Sequence, residues 1–250
     1  MSSTGRLIVV VGSRGGAGAS CLAAAIAQAL QGQTGRCILV DLCDGGAGIE
    51  VLLGIEGEPG ARWPEMAAAR GEIDGSELVL ALPQWQGVPV LSFSRHQSKP
   101  LPDEVLLDVC AGLLRNGGVV VLDLPSPAAW TPAIRALISD ADQTLIATPD
   151  SAVGLAGAVA VAAALNALTD THGASRRRAP TPDRAIALRS QSGSRVAEHD
   201  VTKLVGLPVM VKFRNDRNLA TAIELGAGPA TKSAKRLVKA GKSIAAEVMQ

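Results

Sequence analysis

A chain of 250 residues, 47% apolar and 19% charged, is long and apolar enough to bury one large core, which excludes a disordered chain. A formal charge of +1 argues against a dominant electrostatic footprint for nucleic acid and leaves room only for local basic patches. Aromatic residues make up 2%, so the core has to be built from Ala, Val, Leu and Ile.

The first apolar run, RLIVVVG (Arg6 to Gly12), stops at glycine; it is too brief for a signal peptide and reads as a central parallel strand. A glycine-rich turn and the Ala-rich helix SCLAAAIAQALQ follow. RCILVDL (Arg36 to Leu42) reads as a second buried strand, VPVLSFS (Val88 to Ser94) as a third and GVVVLDLP (Gly118 to Pro125) as a fourth. QTLIATP (Gln143 to Pro149), RAIALRS (Arg184 to Ser190) and LPVMVKF (Leu207 to Phe213) complete the set. Helical stretches from Asp103 to Arg115, Pro132 to Ser139 and Ala152 to Leu168 lie between strands. This alternation predicts an α/β fold: a mostly parallel sheet flanked by helices on both faces, with residues 1–250 as a single domain.

The uncharged stretch from Ser151 to Thr169 approaches membrane-span length, but its Ala and Gly content and Asn166 favour a buried helix. SRHQSKPLP (Ser94 to Pro102) and THGASRRRAPTPDR (Thr171 to Arg184) read as loops, the second carrying an exposed run from Arg176 to Arg178. Near the C-terminus Leu237, Ala240, Ile244 and Val248 share one helical face, and Lys232, Lys235, Lys239 and Lys242 line the other. Such a helix either packs on the sheet with a solvated lysine stripe or lies on an anionic membrane surface. Cys21, Cys37, Cys43 and Cys110 match no zinc spacing, which points to a reduced cytoplasmic protein.

GSRGGAGAS (Gly12 to Ser20) gains its meaning from lying between a strand and a helix. Backbone N–H groups in such a turn, with a helix N-terminus behind them, cradle phosphate oxygens, and glycine lets the backbone approach the anion. Ala19 stands where a phosphate loop calls for lysine. Two other readings stay open: a dinucleotide fingerprint, with Asp41 ending the second strand at a suitable distance, and a tight turn that binds nothing. The spacing G-x-x-G-G-x-G fits the fingerprint poorly, and it leaves Asp123-Leu-Pro without a role.

The loop resembles the deviant Walker A motif of the ParA/MinD superfamily, K-G-G-x-G-K-[ST], with Arg14 at the signature lysine and Ala19 at the second one. VDLCDGGAGIEVLLG (Val40 to Gly54) resembles the family's switch segment, and VVVLDLPSP (Val119 to Pro127) its Walker B strand. SDADQTLIATPDSAVGLAGA (Ser139 to Ala158) and GLPVMVKFRNDRNLATAIELG (Gly206 to Gly226) resemble its later strand–helix units. These motifs come in the family's order over nearly the whole chain. The lysine-free GGAGAS loop is most similar to the CpaE/TadZ-like branch, which is related to actinobacterial septum-site-determining proteins. Many of those relatives carry an N-terminal receiver-like domain; here the sequence starts at the first strand, so that domain is expected to be absent or removed.

The resemblance implies a nucleotide site at Gly12, Arg14, Gly15, Gly16, Ala17, Gly18, Ala19, Ser20 and Cys21. It implies magnesium on Ser20, with Asp41 and Asp123 holding the ion's water shell, so ATP and magnesium are the expected ligands. It also implies a homodimer, with Arg14 acting in cis or across the dimer, and protein partners in a pilus, secretion or division apparatus. The C-terminal helix offers peripheral membrane contact, as the terminal helix of MinD does. Nucleic acid is not an expected partner.

Two losses bear on catalysis. The missing lysine would contribute roughly 2–5 kcal/mol in a protected site. Cys43 occupies the place of the family's water-positioning carboxylate, and a thiol is a weak, mostly neutral partner. Asp44, one residue on, is a weak candidate that could substitute only if the switch loop shifts. The expectation is a positioning or scaffold protein that does not hydrolyse ATP efficiently; the alternative is an active ATPase switching between monomer and dimer.

Overall fold

In this computed structural model, residues 5–44, 48–67, 73–94, 101–171, 184–191, 193–229 and 232–250 are described. Strand β1 (Arg6–Gly12) runs through the middle of an eight-stranded sheet. Leu7, Val9 and Val11 belong to one core and Ile8 and Val10 to the other, so a run of consecutive apolar residues buries both faces.

Chain order continues with α1 (Ala19–Thr34), β2 (Cys37–Asp41), α2 (Gly48–Leu53), α3 (Trp63–Met66), α4 (Gly75–Ala81), β3 (Gln84–Trp85), β4 (Val88–Leu91), α5 (Asp103–Arg115) and β5 (Val119–Leu124). A short 3-10 turn precedes α6 (Pro132–Asp140). The chain ends with β6 (Gln143–Pro149), α7 (Ala152–Thr171), β7 (Arg184–Ser190), α8 (Glu198–Val205), β8 (Val209–Arg214), α9 (Leu219–Glu224) and α10 (Lys235–Val248). The strand order is β3-β4-β2-β5-β1-β6-β7-β8. Among the described residues only β3 and β4 pair antiparallel.

The expected fold class is therefore the observed one, with the anticipated strands in place. Strand β3 is an addition. It forms because Gln86 and Gly87 both take positive φ (49° and 81°), the backbone of a tight two-residue hairpin. Two residues long, it carries too little alternation to register as a strand in the sequence.

Small residues bring α1 close to the sheet: Ala23, Ala24, Ala25 and Ala27 are all buried. Helix α10 then lies against α1, where a Cβ on Gly241 would stand 2.5 Å from the carbonyl oxygen of Ala25. No side chain of α10 caps its own N-terminus; Asp216, from the β8–α9 loop, accepts from the N–H groups of Arg236 (3.1 Å) and Leu237 (3.0 Å). Leu237, Ala240, Ile244 and Val248 are buried, while Lys232, Lys235, Lys239 and Lys242 are exposed. The predicted two-faced helix is present, and its apolar face is taken up by the core.

Helices α5, α6 and α7 cover the opposite face of the sheet. The expected helix at 152–168 extends to Thr171. No helix among the described residues is long and apolar enough to cross a membrane. The Arg176 to Arg178 run and most of the loop after Ser94 lie outside the described residues.

Candidate functional site

The loop from Gly12 to Ser20 joins the end of β1 to the start of α1. Gly16 (φ 72°) and Gly18 (φ 93°) sit in the left-handed region, where a Cβ would be strained. Gly18 is the N-cap of α1 and has no side chain to satisfy the first-turn N–H groups, so those donors are left for a ligand or solvent. A Cβ on Gly15 would meet nothing within 4 Å, which marks open space over the loop. Beneath it α7 presses close: a Cβ on Gly157 would stand 2.1 Å from the Ser13 carbonyl oxygen.

That open space is a cavity of about 520 Å³, walled by the loop, residues Asp123 to Ser126 at and just beyond the end of β5, and the segment after β8. It brings together Gly12, Arg14, Gly15, Gly16, Ala17, Gly18, Ala19, Ser20, Cys21 and Asp123. Asp41 lies behind the wall, and Asp44 is exposed and does not line the cavity. No lysine lines it among the described residues; the cations there are Arg14, Arg189 and Arg217.

Asp41 and Asp123 end adjacent parallel strands and are direct partners in the β2–β5 register. Both are nearly fully buried. The Asp41 carboxylate accepts from the N–H groups of Cys43 (2.9 Å) and Ile49 (2.8 Å), so it pins the segment after β2 to the strand end. This is the backbone-tying role that strand-end aspartates often play. Its main-chain carbonyl accepts from Trp63 Nε1 at 2.7 Å.

Burial pushes the Asp41 carboxyl up to about 6, against the two backbone bonds that favour its charge. Burial and the neighbouring Asp41 push Asp123 up to about 8, with a hydrogen bond from Ser20 acting the other way. One oxygen of Asp123, Oδ1, has no hydrogen-bond partner.

The Cys43 thiol approaches the Asp123 carbonyl at 3.9 Å, and burial followed by the nearby carboxylates raises its pKa, so it stays neutral. Cys43 shares a cluster with Asp41 and Asp123 whose ligand atoms lie within 4.8 Å of one another. Cys21, in the first turn of α1, is pushed up to about 11 by burial and Asp123.

These residues fit a magnesium nucleotide at the glycine cradle, at Ser20 and at the orphaned oxygen of Asp123. They depart from it at position 19, where the side chain is a methyl group. Arg14 is exposed, and its Nη1 donates to the Gly15 carbonyl at 2.9 Å. Arg189, which sequence reading passed over, reaches the same loop: its Nη2 donates to the Gly16 carbonyl at 3.1 Å. The signal available for it was position, since ligands of open α/β sheets sit at the C-terminal ends of the strands, where Arg189 stands.

Residues 6–63 match the family of the cellulose biosynthesis protein BcsQ. Two uncharacterized proteins of Mycobacterium tuberculosis, Rv3660c and MT3760, are each 36% identical over 225 residues, 89% of this chain. The chain spans 58% of the length of these relatives.

Among solved structures, a ParA family ATPase from Chlorobium tepidum superposes with a TM-score of 0.74 at 19% identity, covering 96% of this chain and 98% of its own. MinD in the MinC:MinD complex of Aquifex aeolicus gives 0.72 at 14%, covering 96% and 95%. The septum site-determining protein MinD of Pyrococcus horikoshii, solved with Mg-ADP, gives 0.64 at 16%, covering 96% and 95%. The chain thus shares the fold of these ParA and MinD proteins, with its glycine loop between β1 and α1 inside the stretch, residues 6–63, that matches the BcsQ family.

Proposed function

We propose that the chain is a positioning or scaffold protein of the ParA/MinD type that binds ATP with magnesium as a structural ligand and does not turn it over efficiently. The observation that carries this reading is the methyl group of Ala19 at the N-terminus of α1, in a cavity with no lysine among its described lining residues. Cys43 adds to it. A thiol with a raised pKa stands where the family places a carboxylate, and Asp44 faces solvent outside the cavity.

In this reading the first-turn N–H groups of α1 and the loop between Gly15 and Gly18 bind the phosphates. Ser20 holds the metal, and Asp123 orients its water shell through the oxygen that lacks a partner. Bound magnesium would neutralise the phosphate charge and the buried carboxylates together. Asp41 acts one step back, tying the N–H groups of Cys43 and Ile49 to the end of β2.

The partners we propose are a second copy of the chain and proteins of a pilus, secretion or division apparatus, following the likeness to the CpaE/TadZ-like branch. Two measurements test the reading together: light scattering with and without Mg-ATP, and phosphate release at single-turnover sensitivity. A nucleotide-dependent change in mass without phosphate release supports it. Turnover faster than about once per minute would establish the active ATPase instead.

A further inference from the structure

Two guanidinium groups converge on one glycine loop. Arg14 lies on the loop itself. Arg189 arrives from the far side of β6, at the C-terminal end of β7, where it pairs in register with Pro149 and Phe213. Its Nη2 holds the Gly16 carbonyl, and its Nη1 lies 3.8 Å from where a Cβ on Gly18 would stand. Its Nε is buried and donates to nothing. The carboxylate that attracts it, Asp150, is turned to the backbone: its Oδ1 accepts from the Gln191 N–H at 2.8 Å, and its Oδ2 has no partner.

Such an arrangement is unfavourable as it stands. Burial first, and the charge of Arg14 second, lower the Arg189 pKa, so the folded chain holds two like charges together at a half-buried site. Among the described residues no carboxylate forms an ion pair with Arg189. If the residue only tied Gly16 to the sheet, one of its donors would suffice, and neither the idle Nε nor the approach to Arg14 would be needed. An anion in the cavity would offset the repulsion between the two charges. A guanidinium can also grip two phosphate oxygens at once, which a lysine cannot.

We propose that Arg189 supplies, from β7, the phosphate-binding charge that position 19 has lost, and that its ligand is the polyphosphate chain of a nucleotide. This rests on the nucleotide-binding reading above. Arg14, exposed and anchored to its own loop, is then free to act at the cavity mouth or toward a second copy of the chain.

Titration calorimetry on the full chain tests the assignment, with Mg-ATP and tripolyphosphate as probes and Arg189→Met, Arg189→Lys and Arg189→Met combined with Ala19→Lys as variants. The expected result is a roughly 10- to 100-fold loss of ATP affinity in Arg189→Met, the range for a charged hydrogen bond. Arg189→Lys should keep part of that affinity, and adding Ala19→Lys should recover most of it, since a cation from α1 replaces one from β7.

Unchanged affinity in Arg189→Met, with ATP binding to the natural chain, overturns the proposal and leaves the nucleotide reading intact. A loss that Ala19→Lys fails to restore, accompanied by a lower melting temperature, makes Arg189 a structural tie and also overturns it. No ATP binding to the natural chain overturns both readings. Tripolyphosphate binding as tightly as ATP would overturn the nucleotide assignment of the ligand.

Discussion

Asp41 and Asp123 face each other across adjacent parallel strands, both almost fully buried, and no cation among the described residues neutralises the pair. Their carboxyls are raised in the folded chain, to about 6 and about 8, chiefly by burial. The folded state therefore keeps protons that the unfolded chain has released above its ordinary value near 3.8. Stability contributed by these groups is greatest below that value and falls as pH rises toward about 8. In metal-free buffer, Asp123→Asn should match the natural chain near pH 4 and exceed it increasingly up to pH 9, by on the order of 2 kcal/mol or more. Denaturant melts at the two pH values check this; a gap that does not widen with pH contradicts it.

Trp63 ties the same strand end from another side. Its ring is fully buried, with the Phe93 ring centroid 6.0 Å away, and its Nε1 holds the Asp41 carbonyl. Trp63→Phe removes the donor and leaves a buried acceptor unpaired, at a cost of about 1–3 kcal/mol plus the lost packing. The expected outcome is a lower denaturation midpoint with unchanged cooperativity. An unchanged midpoint would show that the carbonyl finds another donor.

Backbone contact at two glycines should be costly to disturb. Gly157→Val drives a side chain into the Ser13 carbonyl, and Gly241→Val drives one into the Ala25 carbonyl. Each should destabilise by roughly 3 kcal/mol or more, because backbone rather than a flexible side chain has to move. Thermal melts test both. The two differ in their effect on the site: at equal stability, Gly157→Val should weaken Mg-ATP binding, since it displaces the start of the loop, and Gly241→Val should not.

The sequence carried the sheet because its strands are unbroken apolar runs, and runs such as Ile8 to Val11 have no other use than burial on both faces. The wheel of α10 was equally legible, since Leu237, Ala240, Ile244 and Val248 fall on one side whatever they pack against. Their partner was not legible, because the fit with α1 depends on Gly241 meeting Ala25 across more than two hundred residues of chain. The glycine loop announced itself by its setting, whereas Arg189 did not. A lone arginine at a strand end looks like a solvated terminus, and only the strand order β1-β6-β7 brings it to Gly16. For the same reason the bond from Ile49 to Asp41 was hidden: the carboxylate and the amide meet only after the chain turns back.

The loss at position 19 is tested most directly by phosphate release from the natural chain beside an Ala19→Lys, Cys43→Asp double variant, both saturated with Mg-ATP. The expected result is no release above background from the natural chain and measurable turnover in the double variant. Turnover by the natural chain above about once per minute, abolished by Asp123→Asn, would contradict the account.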